Sequence, residues 1–75
     1  MAATGRMDAG GAVLDAYFLE VRGKLLEIAA VLDRVERAGG AAGDARLAFV
    51  EGALGILREG GADRAERVLR LYSKE

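Results

Sequence analysis

Residues 12–38 read AVLDAYFLEVRGKLLEIAAVLDRVERA, and this stretch decides the fold. It contains no proline, and its large apolar side chains alternate between spacings of four and three residues. Such alternation follows one face of an α-helix and is the heptad pattern of helices that pack against other helices. It predicts a long first helix over about 12–38 whose buried face is formed by Leu14, Phe18, Val21, Leu25, Ile28, Leu32 and Val35.

A second, medium-length helix is predicted over about 44–59. Asp44 follows Gly43 and is a good N-cap, because its carboxylate can accept hydrogen bonds from the first free amides of a helix. The candidate core residues here are Leu47, Val50, Leu54 and Leu57. Gly52 and Gly55 lower the helix propensity, and they either serve no purpose or let another helix approach closely.

A third, short helix is predicted over about 63–74, with Leu69 and Tyr72 as candidate core residues. Asp63 and Glu66 have the spacing of a capping box. Acid-before-base pairs four residues apart, which stabilise helices, occur along the chain. They are Glu20 with Lys24, Asp33 with Arg37, Asp63 with Arg67, and Glu66 with Arg70.

Glycines divide the chain at Gly10–Gly11, at Gly39–Gly40 with Gly43, and at Gly60–Gly61. No segment alternates with period two, so the fold class is all-α. We expect a flexible segment at 1–11 and a single helical domain over 12–75, with the three helices forming a hairpin or bundle. The third helix either continues along the second or folds back on it.

A chain of 75 residues is too small to close a large core. Domains near this size bury only about 60% of the surface that the unfolded chain exposes. We therefore expect oligomerisation, with a dimer favoured, to complete the fold. A second strip on the first helix, which either the third helix or another protomer covers, supplies the candidate interface: Ala16, Leu19, Gly23, Leu26 and Ala30.

The composition argues against most enzyme classes. The chain has no His and no Cys, which removes the commonest catalytic base, the thiol nucleophile and the usual zinc ligands. We expect no enzymatic activity, no cofactor and no metal. No apolar stretch approaches the roughly 20 residues needed to span a bilayer, so we expect a cytoplasmic protein with no membrane contact. Abundant Ala, Gly and Arg is typical of GC-rich bacterial genomes.

The leading functional hypothesis is a non-enzymatic helical oligomer or protein-interaction module, with any further protein partner unknown. The alternative is a small DNA-binding regulator that uses the 63–74 helix. Arg67, Arg70 and Lys74 lie on one side of that helix. Acidic residues share the region and the net charge is −1, so the sequence argues against nucleic-acid binding.

Three segments carry a resemblance to a known group of proteins. They are YFLEVRGKLLEIAAVLDRVERA, DARLAFVEGALGIL and DRAERVLRLYS, which together cover most of the chain from Tyr17 to Ser73. The sequence resembles small uncharacterised bacterial all-helical proteins with a Tyr-Phe, Leu-Leu-Glu-Ile-Ala-Ala and Leu-Asp-Arg pattern. The resemblance implies an all-helical fold and no known activity, so it assigns no functional residue.

Overall fold

The computed structural model describes residues 9–72, which form three α-helices. They are α1 (Ala9–Arg37), α2 (Ala45–Glu59) and α3 (Arg64–Tyr72), one long, one medium and one short. No strand occurs within this range. The predicted all-α class is therefore confirmed. The predicted flexible segment at 1–11 lies mostly outside the described residues.

Helix α1 begins earlier than the sequence predicts. It starts at Ala9 instead of at about residue 12, so Gly10 and Gly11 lie inside its first turn. Glycine weakens a helix without being sterically excluded from it. A glycine pair therefore marks a helix boundary reliably only where the backbone adopts a conformation that other residues avoid. Gly39 and Gly40 meet this condition, with φ values of 108° and 83°.

Helix α2 begins as predicted at an aspartate cap. Asp44 has an extended backbone, with φ −78° and ψ 124°, and its Oδ1 accepts a hydrogen bond from the amide of Arg46 at 2.8 Å. The helix ends at Glu59 and is followed by its C-cap Gly60, whose φ is 92°. Because side-chain-bearing residues rarely adopt this φ, a glycine is needed where the chain leaves α2.

Helix α3 folds back on α2, which settles the two arrangements that the sequence left open. Leu71 lies over Gly52, so that a Cβ atom built on Gly52 would be 3.0 Å from Cδ2 of Leu71. The rings of Phe49 and Tyr72 meet edge to face, with centroids 5.6 Å apart. Gly52 therefore has the packing role that was one of its two interpretations, whereas a Cβ at Gly55 would meet open space.

The chain divides into two compact units, Met1–Gly39 and Gly40–Glu75. Among the described residues, the first unit contains α1 and the second contains the hairpin of α2 and α3. No residue among those described is buried in the single chain. The predicted single domain and the predicted core residues stay predictions.

Candidate interaction surface

Helix α1 carries a broad apolar face. At about 100° per residue, its predicted core residues cover an arc of roughly 100°, which is the width expected of a helix that packs in a bundle. Exposure falls along this face toward the C-terminal end. Leu14, Phe18, Val21 and Leu25 are 43–56% exposed, and Ile28 is 37% exposed. Leu32 and Val35 are partly buried.

The first half of this apolar face contains a shallow hollow. The hollow has a volume of about 310 Å³ and is lined by Phe18, Val21, Arg22, Leu25 and Leu26. Val13 and Tyr17 extend the apolar surface on one side and are 58% and 57% exposed. Large contiguous apolar surfaces are uncommon on monomeric soluble proteins and usually mark interaction sites.

The margins of the α1 face carry charge. The predicted pair of Glu20 and Lys24 is confirmed, with Nζ 3.8 Å from Oε2 and both side chains more than half exposed. Such pairs contribute only a few tenths of a kcal/mol on a helix surface. The Glu20–Lys24 pair keeps one margin of the apolar face in contact with solvent.

The second strip, predicted from the sequence as an interface, is centred on the side of α1 opposite the predicted core residues, and Leu26 at its edge also lines the hollow. All five of its residues are exposed, with Leu19 at 77% and Leu26 at 57%. A Cβ atom added at Gly23 would meet nothing within 4 Å in the single chain. Space for a close helix approach is therefore present, and the strip stays a predicted interface.

The α2–α3 hairpin has a small apolar surface of its own. A shallow hollow of about 640 Å³ opens beside Phe49 and Tyr72, between the start of α2 and the end of α3. Leu69 and Tyr72, both predicted core residues, are 64% and 71% exposed in the single chain. The stripe of α2 lies about 150° around the helix from the side that α3 contacts. It consists of Leu47, Val50, Leu54 and Leu57, of which Leu57 is 43% exposed and the other three are partly buried.

Two arginines of α3 cap the C-terminal end of α2. Arg67 donates from Nη2 to the carbonyl oxygens of Gly60 at 3.0 Å and Ile56 at 3.4 Å, and from Nη1 to Glu59 at 3.3 Å. Arg64 donates from Nε to the carbonyl of Leu57 at 3.1 Å. The last carbonyls of a helix have no partner within the helix and carry partial negative charge, so guanidinium groups are well suited to them. We call this arrangement the arginine clasp.

The arginine clasp weakens the case for DNA binding. The side chain of Arg67 is only 26% exposed and is directed at α2. Arg70 is paired with Glu66 at 2.9 Å, and Arg67 Nε lies 3.6 Å from Asp63, which confirms both predicted pairs. Lys74 lies outside the described residues. Of the three cations that motivated the DNA hypothesis, one is thus engaged within the hairpin and one is paired on its surface.

The start of α3 differs from the predicted capping box. Among the described residues, the Asp63 carboxylate contacts Arg67 and the Glu66 carboxylate contacts Arg70, and neither makes the reciprocal backbone contacts of the box. The guanidinium groups compete for these carboxylates because each offers several donors in a planar fork. The sequence signal for the arginine clasp is present in retrospect, as two arginines three residues apart that begin three positions after Gly61.

The carboxyl group of Asp44 has a lowered pKa. Hydrogen bonds from the side chain of Arg46, and then from its backbone amide, lower the pKa of Asp44 from 3.8 to about 2. Arg46 donates from Nε to Oδ1 at 3.0 Å and from Nη2 to Oδ2 at 2.8 Å. Both groups stabilise the carboxylate form, and the arrangement is a helix cap.

A metal site and a membrane-spanning helix each have structural requirements that the described residues do not meet. Within residues 9–72, no three acidic side chains come close enough together to hold a metal ion. None of the helices in that range combines the length and apolar character needed to cross a membrane. The absence of enzymatic activity and the cytoplasmic location stay predictions from the sequence.

Comparisons with known proteins add no assignment. No protein-family model matches the chain, and neither a curated protein nor a solved structure is significantly similar to it. The resemblance to small bacterial helical proteins therefore stays an expectation from the sequence. The functional argument depends on the geometry of the two units.

Proposed function

We propose that this protein is a non-enzymatic helical module that associates with further copies of itself through its apolar helix faces. One observation carries the proposal: none of the described residues is buried in the single chain, although α1 carries a continuous heptad face. An isolated helix is marginal in water, and most helical stability in proteins comes from packing an apolar face. A second copy supplies the missing contact surface.

Sedimentation equilibrium on the wild-type protein from low micromolar to near-millimolar concentration tests self-association. We expect a mass above 7.9 kDa that rises with concentration. A mass that stays at one chain throughout would contradict the proposal. Circular dichroism on the same samples reports whether helix content rises together with the mass, as it does when folding and assembly are coupled.

A matched pair of substitutions tests whether the α1 face is the surface involved. Leu25 is 52% exposed in the single chain, so Leu25→Ala would cost little in a monomer. If a second copy buries Leu25, the same change should cost about 2 to 5 kcal/mol. Glu20→Ala, on the solvated margin of the helix, is the control and should change stability by less than about 0.5 kcal/mol. Equal effects of the two changes would show that the α1 face stays in water.

A further inference from the structure

The exposed half of the α1 face is large enough to be an interface. Its six apolar residues are each 43–58% exposed, which leaves an apolar patch on the order of 600 Å² per chain. Two such patches facing each other would bury about 1,200 Å², the lower end of the range for specific protein interfaces. The residues are Val13, Leu14, Tyr17, Phe18, Val21 and Leu25.

We propose that a second copy of this chain covers this patch, with the two α1 helices antiparallel. In this arrangement Leu14 of each copy lies opposite Leu25 of the other, and Phe18 lies opposite Val21. We call it the antiparallel α1 pair. The antiparallel α1 pair rests on the proposed self-association, and it specifies the surface, the orientation and the register of that association.

The spacing of the apolar residues fits this arrangement. From Leu14 to Leu25 the intervals are four, three and four residues, so the pattern reads identically in both directions. A twofold axis can therefore lie midway between residues 19 and 20, and each of the four stripe residues from Leu14 to Leu25 then meets one from the other copy. A symmetric dimer requires such a self-complementary surface, because the same patch is used on both subunits.

The charges on one margin fit the antiparallel orientation. Asp15 and Arg22 each directly follow a residue of the stripe, so both lie on the same margin. In the antiparallel α1 pair, Asp15 of one copy lies beside Arg22 of the other, offset by about 3 Å along the axis. The axis generates this acid-base contact twice. A parallel pair in the same heptad phase would instead bring Arg22 to Tyr17 and Asp15 to Gly10.

The residues on the other margin of the stripe also fit the antiparallel orientation. There, Tyr17 of one copy lies beside Lys24 of the other, which suits a cation–π contact. Contacts of this kind are individually weak at exposed sites, but they select orientation and register among helix pairs of similar apolar content. We expect a dimer of micromolar affinity whose orientation is fixed by these margins.

Disulfide trapping tests the register directly. The chain has no Cys, so Leu14→Cys and Leu25→Cys each introduce a single thiol. The two variants, one carrying a mass label, are mixed and oxidised. The antiparallel α1 pair predicts that mixed dimers exceed both same-variant dimers severalfold. Leu14→Cys mixed with Leu32→Cys is the control, and its mixed product should show no such excess.

A charge exchange tests the orientation without altering the apolar face. Asp15→Arg and Arg22→Asp should each weaken the dimer about tenfold at low salt, because each creates two like-charge contacts. The double variant should return the dissociation constant close to that of the wild type. Asp33→Arg changes the same residue type at the same angle around α1 and is the control, with little expected effect.

The outcomes separate this inference from the proposed function. A wild-type chain that stays monomeric would overturn both. A wild-type chain that associates, with no excess of mixed disulfide and no recovery in the double variant, would overturn the antiparallel α1 pair alone. Excess mixed disulfide together with recovery by the double variant would support it, and circular dichroism confirms that each variant is helical.

Discussion

At the scale of single residues, three glycines of helical segments have different surroundings. Gly52 lies under Leu71, whereas Gly23 and Gly55 face open space in the single chain. A glycine in a helix costs up to about 1 kcal/mol relative to alanine. This cost is offset only where a side chain would collide with a neighbouring element. The glycines therefore report which helix surfaces are approached by another element.

Gly52→Ala and Gly55→Ala form a matched pair within α2. Gly55→Ala should stabilise the protein by up to about 1 kcal/mol, because the helix gains propensity and the methyl group meets nothing. Gly52→Ala should gain clearly less or lose stability, because the methyl group must displace Leu71. Chemical denaturation of both variants measures the difference. Identical gains would show that α3 does not pack on Gly52.

Gly23→Leu decides whether the second strip of α1 takes part in assembly. Gly23 lies nearly opposite the Leu14–Leu25 stripe, so the antiparallel α1 pair alone leaves it in solvent. The variant should then keep its mass and melt at a higher temperature, since leucine is the better helix former. Light scattering and a thermal melt on one sample measure both. Loss of the oligomer would instead place Gly23 in a close contact between protomers, as the strip predicts.

At the scale of elements, the helix ends are fixed by polar contacts of charged side chains. Asp44 caps the start of α2, and Arg64 and Arg67 cap its end. These contacts replace the hydrogen bonds that the terminal amides and carbonyls of a helix lack. Polar contacts at the two ends of α2 thus fix where this helix begins and ends in the second unit.

The Asp44 cap makes α2 sensitive to acid. Because the folded-state pKa of Asp44 is lowered from 3.8 to about 2, its stabilising contribution is present above about pH 4 and is lost as the pH falls toward 2. Asp44→Asn keeps a good capping residue but removes the titrating group. We expect the wild type to lose more stability than this variant between pH 4 and pH 2. Parallel pH profiles would contradict the assignment.

The arginine clasp should hold α3 against α2. Arg67→Ala removes contacts to two carbonyls and to the carboxylates of Glu59 and Asp63, and it should cost about 1 to 3 kcal/mol. Arg70→Ala removes only an exposed pair with Glu66 and should cost less than about 0.5 kcal/mol. Amide exchange along α3 checks this, with faster exchange expected only for Arg67→Ala. Similar exchange in both variants would show that the clasp does not hold the helix.

The sequence predicts the helices well and their contacts incompletely. The heptad run of α1 and the Asp44 cap could be read because both are local patterns of a few residues. The direction of α3 could not, since it depends on contacts between residues about twenty positions apart, such as Gly52 with Leu71. The start of α1 was misplaced because Gly10 and Gly11 break helices only in some contexts.

At the scale of the whole molecule, the central feature is that residues 9–72 carry large apolar side chains, none of which is buried in the single chain. Even the least exposed residues of the α1 face are not buried in the single chain. Under the proposed self-association, the free energy of folding depends on apolar surface that further copies cover. Folding and association would then be one equilibrium, and stability would depend on the protein concentration.

The concentration dependence of thermal unfolding tests this claim most directly. Helix content is followed by circular dichroism during melting, from about 1 μM to several hundred micromolar wild-type protein. Coupled folding and association predict a midpoint that rises steadily with concentration, because mass action favours the assembled folded state. A cooperative transition whose midpoint is the same at every concentration would show that the single chain folds by itself and would contradict the account.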